Sequence, residues 1–203
     1  MSLKIANAGG GDYERVPAGT TLGICYGLVD IGWQETNFGT KQQVIILWET
    51  PNELMKDGRP FGVSKVYTAS MNEKAILRKD IQSWRGKAMS DEEADGFELN
   101  AVLGKACLLN ITETQKGDRT YTNVGAVTPI MKGMTVPRCS NALVLYDMDA
   151  HDQGAYSQLP DWIRKKIDSG RACHNEGDGY RGDEQTSAAS SGFVDDAGLD
   201  LPF

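Results

Sequence analysis

Aromatic and cationic side chains recur together in this chain at positions where strand ends and turns would expose them. Trp33 and Phe38 flank or lie in a polar turn, Glu35-Thr36-Asn37-Phe38-Gly39-Thr40, with Lys41 directly after it. Phe61, Lys65 and Tyr67 share one face of an alternating run, and Lys116, Arg119 and Tyr121 surround a second polar turn. Rings of this kind stack on bases and cations neutralise phosphates, the two components of sequence-tolerant binding to a single nucleic-acid strand. Lys74, Arg78, Lys79, Arg85 and Lys87 add a basic segment, which reads equally as the solvated face of a helix. The rings also have a second reading, because a small barrel needs bulky core residues. Trp48 and Tyr26 read as core, Phe61, Tyr67 and Tyr121 as either, and Trp33 and Phe38 as binding residues.

Other chemistry is weaker. Asp147, Asp149 and Asp152 crowd around His151 and could serve a metal-dependent nuclease, though an acidic turn is the commoner use of such spacing. Gly9-Gly10-Gly11 is followed by Asp12-Tyr13-Glu14, so no phosphate loop is formed. The four cysteines are widely separated and only His151 and His174 could join them, which argues against a disulfide framework or zinc ribbon; Cys173-His174 is an isolated fragment. No cofactor, no metal and no enzymatic activity is expected.

The chain ends in Asp195-Asp196-Ala197-Gly198-Leu199-Asp200-Leu201-Pro202-Phe203. An aromatic ring fills an apolar pocket, Pro202 limits the conformations lost on binding, and Asp195, Asp196, Asp200 and the terminal carboxylate suit a basic rim. A generic acidic solubilising tail is the alternative. The net charge of −7 divides unevenly: residues 171–203 hold two of 21 basic and seven of 28 acidic side chains, a net −5, leaving −2 for residues 1–170. A near-neutral body can still carry a basic groove, so the acidity does not exclude DNA. It also gives the tail a second use, since it could compete with phosphates for that groove.

The elements that must position these residues read as strands first. Residues 1–18 read as a flexible leader. Thr20–Trp33 alternates Leu22, Ile24, Tyr26 and Leu28 around glycines that suggest bulges, Lys41–Glu49 pairs with it as a hairpin, and a third strand covers residues 61–68. Asn72 caps a helix through Ser83 or Trp84, and Ser90 caps another running towards Leu103. Lys105–Thr112 and Thr120–Ile130 are two strands joined by a polar loop, Leu143–Asp147 is an added edge strand, and Gln158–Ser169 is a short helix with Gly170 after it. Three strands, a helical insertion and two strands is the order of a five-stranded OB-fold barrel, so the expected class is all-β with helical insertions. An OB-fold domain over residues 19–172 would precede a disordered acidic tail over 173–203, too poor in apolar residues to order itself.

The ending resembles the acidic tip of bacterial single-stranded DNA-binding proteins, typically several aspartates before Ile-Pro-Phe, with Leu201 here in place of isoleucine. Over residues 17–170 the body is similar to the OB-fold single-stranded DNA-binding proteins of bacteriophages, through the glycine-punctuated first strand, Leu47-Trp48-Glu49-Thr50-Pro51, the segment 103–111 and Leu159-Pro160-Asp161-Trp162-Ile163. The resemblance implies a protein that coats single strands without sequence preference in phage DNA replication or recombination, and recruits host or phage replication, recombination and repair enzymes through its tip. An interaction protein whose tail occupies host docking sites is the alternative. The apolar runs are too short to span a membrane, the N-terminus lacks a signal-peptide core, and a bacterial host cytoplasm is expected. A homodimer is compatible with such a body.

Overall fold

The structure, a computed structural model, describes residues 14–117 and 119–177. It is mostly β: β1 (Gly19–Thr36), β2 (Gly39–Leu54), β3 (Pro60–Thr68), β4 (Ala106–Lys116), β5 (Arg119–Thr128) and the short β6 (Val144–Tyr146). The helices are α1 (Ile76–Arg85), α2 (Asp91–Asp95), α3 (Gln153–Gln158) and α4 (Asp161–Gly177). The strands form one six-stranded sheet in the order β3-β2-β1-β4-β5, antiparallel throughout, while β6 adds in parallel to β1 at Gly27–Val29. The sheet is not closed. β3 and β5, the ends of the path, approach one another without a hydrogen-bonded ladder, and α1 packs against both.

β1 is the hub. Its first part pairs with β4 from Gly19 to Ile24, and its second pairs with β2 from Ile24 to Thr36. Bulges between Cys25 and Gly27 and between Asp30 and Gly32 break the two-residue alternation and change which side chains face which layer. Cys25 and Leu28 enter the main core with Ile46, Trp48, Phe61, Val63, Ile81, Trp84 and Leu109. Val29 and Ile31 point the other way, with Ile45 and Leu47, into a second core under Tyr146, Leu159, Ile163 and Ile167. The unbroken run Ile45-Ile46-Leu47-Trp48 follows from this, because a strand covered on both faces has no polar side. Each Ile or Leu so buried is worth about 1.5–3 kcal/mol.

Several boundaries differ from the sequence expectation. Within the expected leader, residues 1–18, Val16 is only 4% exposed and packs in the main core, and Glu14 pairs with Lys56, while residues 1–13 lie outside the described residues. Asn72 caps a turn, accepting from the Lys74 N–H, and α1 starts later, after Ala75. Ser90 does cap α2 in a reciprocal capping box with Glu93, but α2 stops at Asp95 and a 3₁₀ turn at Leu99–Val102 follows. The polar loop expected at 113–119 is mostly strand, since β4 and β5 pair out to Lys116 and Arg119. Gly170 is not the residue after a helix: α4 continues through it, and it lies directly against β1. A methyl group there would overlap the Ile31 carbonyl oxygen and stand 2.6 Å from Gln34 Nε2.

Candidate functional site

β1 and β2 continue past the last β3 pair, Gln43–Thr68, as a two-stranded arm, paired from Trp33–Gln42 to Thr36–Gly39. At its tip Thr36 Oγ1 accepts the Phe38 N–H (3.1 Å) and donates to the Gly39 carbonyl (2.6 Å), with Gly39 at φ 88° closing the turn. This leaves Phe38 70% and Trp33 42% exposed. Directly opposed residues share a face of a sheet. Trp33 therefore lies beside Gln42 on one face, and Lys41 beside Gln34 on the other. Gln34 is held against α4 by bonds to the Ile31 and Lys166 carbonyls, which fixes the base of the arm to the helix. Lys41 is exposed and has no ion-pair partner among the described residues. Only a ligand crossing the tip or an edge of the arm touches Trp33, Phe38 and Lys41 together.

The third strand behaves differently. Phe61 and Tyr67 are 8% and 3% exposed and belong to the main core, so neither offers a ring face to a base. Asp80 of α1 accepts from Tyr67 Oη and from Lys65 Nζ, each at 2.8 Å, and the ammonium of Lys65 also sits 5.2 Å from the Tyr67 ring centre. Burial, and then the charge of Asp80, push the Tyr67 phenol well above its ordinary range. Lys65 and Tyr67 therefore tie β3 to α1. Of the expected site residues, Phe61 and Tyr67 thus sit in the main core, and Lys65 is ion-paired to Asp80.

Tyr121 is half-buried opposite Thr114 on the β4–β5 hairpin. Lys116 and Arg119 pair at the end of that hairpin through their backbones, and their side chains lie outside the described residues. So do the tip residues Asp195, Asp196, Asp200, Leu201, Pro202 and Phe203, and the side chains of Cys173 and His174. In the basic segment, Arg78 is buried and bonds Asp91 and the Met71 and Met89 carbonyls, while Arg85 and Lys87 both meet Glu93. Lys74 and Lys79 alone of the five stay exposed and unpaired among the described residues.

The acidic turn uses its carboxylates locally. Asp147 accepts the Asp149 N–H, Asp152 caps α3 by accepting the Gly154 N–H, and His151, at φ 41°, places Nδ1 2.9 Å from Tyr146 Oη. Among the described residues no three His, Cys, Asp or Glu side chains gather in a metal-binding group. A shallow apolar groove of about 420 Å³ lies between Trp84, Phe97, Val102 and Pro129, with the Arg85 guanidinium 5.7 Å from the centre of the Phe97 ring.

One feature escaped the sequence reading. Glu49 is fully buried, and its carboxylate accepts the Ser140 N–H (2.7 Å), the Asn141 N–H (2.9 Å) and the Asn141 side-chain amide (2.7 Å). The available signal was a single acid closing the apolar run 45–48, where a charge must be fully hydrogen-bonded to be tolerated. Compared with protein-family models and with curated protein sequences, the chain matches neither.

Proposed function

We propose that this chain is a non-enzymatic single-stranded DNA-binding protein of bacteriophage type, acting in replication or recombination, whose terminal Leu201-Pro202-Phe203 recruits partner enzymes. The observation that carries the first part is the arm: two exposed rings and a cation without an ion-pair partner on a two-stranded ribbon, where the other aromatics among the described residues are buried or partly buried. Stacking of bases on rings tolerates any sequence because every base has a π-face.

An OB-fold reading of the body supports it. The path β3-β2-β1-β4-β5, completed by the approach of β3 to β5, reproduces the cyclic order of that fold, and α1 stands between β3 and β4 where its helix belongs. In such folds the first and last hairpins commonly hold oligonucleotides, and Trp33, Phe38, Lys41 and Tyr121 sit on the corresponding two.

Fluorescence anisotropy with a labelled single-stranded oligonucleotide tests the reading. Binding that weakens steeply with salt and leaves the oligonucleotide intact with magnesium is expected; no binding at low salt refutes it, and magnesium-dependent shortening would replace it with the nuclease. Deleting Leu201–Phe203 should leave DNA affinity nearly unchanged and abolish capture of purified host replication proteins. Undiminished capture would reject the recruiting role.

A further inference from the structure

The chain between β5 and β6, residues 129–143, is long for a connection without helix or strand, and such segments in compact bodies are usually functional. It has a single turn, with Gly133 at φ 83° and the Met134 N–H bonded to the Met131 carbonyl. Its hold on the sheet is Glu49, which stands on the outer face of β2 in the row of Ile24 and Gly62 and takes three N–H donors from Ser140 and Asn141. At the neighbouring Cys139, burial first and then Glu49 push the thiol up to about 11. With the backbone fixed there, Arg138 and Lys132 are exposed and have no ion-pair partner among the described residues. Met131 and Val136 are exposed beside them.

β6 and the α3–α4 pair cover the outer face of β1 and β2, which in OB-folds is part of the usual platform for a strand, and residues 140–141 of this segment reach the same face at Glu49. We propose that residues 129–143 replace that platform, with Lys132 and Arg138 contacting the phosphates of the bound single strand and Glu49, through Ser140 and Asn141, acting as the positioning residue for Arg138. The proposal rests on the single-strand-binding reading above. A buried carboxylate with no catalytic partner is otherwise an expensive way to hold a surface loop, whereas it suits a loop whose cations must keep fixed places.

The test uses the full chain and a labelled oligothymidylate across a salt series. Lys132→Ala with Arg138→Ala alters only exposed side chains, so the fold should be kept. Loss of two phosphate contacts should flatten the slope of log affinity against log salt by about 1.4, about 0.7 for each, and weaken binding roughly 10- to 30-fold at 0.1 M salt. Glu49→Gln turns an amide donor towards an N–H donor and should cost affinity in the wild-type background but add nothing to the double variant. If the wild-type chain binds and the double variant keeps its slope, this proposal fails and the parent reading stands. If Glu49→Gln costs the same factor in both backgrounds, its positioning role is refuted. A wild-type chain that binds no oligonucleotide at low salt overturns both readings.

Discussion

Phe38 and Phe61 make a paired experiment, because the same substitution should act on opposite sides of the ledger. Phe38→Ala removes a ring that is 70% exposed at the tip of the arm, where the turn is held by backbone and Thr36 hydroxyl bonds that survive the change. Its folding cost should stay within about 0.5 kcal/mol, the usual range for a surface substitution. If the ring stacks on a base, binding should lose about 1–3 kcal/mol, or roughly 5- to 150-fold in Kd. Phe61→Ala removes a ring that is 8% exposed in the main core and leaves a cavity among packed neighbours. That should cost about 3–5 kcal/mol of stability, a fall in Tm of roughly 6–20 °C for a chain of this size, while the folded fraction binds almost normally. Anisotropy at fixed low salt measures one quantity and thermal melting followed by circular dichroism the other. A Phe38→Ala protein that binds within twofold of wild type, or a Phe61→Ala protein that loses affinity while fully folded, would refute the assignment of these two rings.

Two further outcomes follow from the packing. Gly170→Ala gains about 1 kcal/mol of helix propensity but drives a methyl group into the Ile31 carbonyl and towards Gln34 Nε2; overpacking should prevail, for a net loss of about 1–3 kcal/mol, and a urea midpoint equal to or above wild type would contradict this. Stability should also fall in alkali. Burial, foremost, raises Cys25 from 9.0 and Tyr26 from 10.0, each to about 12, so the folded state holds protons that the unfolded chain gives up. That contribution is complete below pH 9 and shrinks as pH climbs towards 12; for Cys25 alone the loss from pH 8 to 10.5 is about 2 kcal/mol. A urea midpoint that stays level over that range would count against the burial of these groups.

The strands were readable because their apolar residues and turn signals are local properties. Lys41–Glu49 and residues 61–68 fall inside β2 and β3, and the capping box at Ser90 is present. What the sequence did not disclose depends on partners distant in the chain. Phe61 and Tyr67 alternate with polar residues in the pattern of an exposed binding face, yet an alternating strand has two faces, and α1 with its Asp80 determines which is covered. Likewise Gly170 looks like a helix stop until Ile31 and Gln34 arrive beside it, where the lack of a side chain serves close approach. The exposure of Trp33 and Phe38 was easier to read, since a polar turn between paired strands seldom finds a third element to cover it. Glu49 was hidden for the opposite reason: its partners, Ser140 and Asn141, lie 91 and 92 residues later.

The two-sided burial of β1 and β2 sets a limit on how this chain can be shortened. A chain cut after Thr128 would keep the five strands of the main path and α1, and would look complete by strand count. It would, however, bare Val29, Ile31, Ile45 and Leu47 in adjacent rows at the middle of the sheet and strand the Glu49 carboxylate without its donors. Such a fragment should be sticky and should associate through that bared face. In amide exchange on the intact chain, the central rows of β1 and β2 should be the last to open, and α4 should be protected nearly as long as they are, because it cannot leave without wetting them.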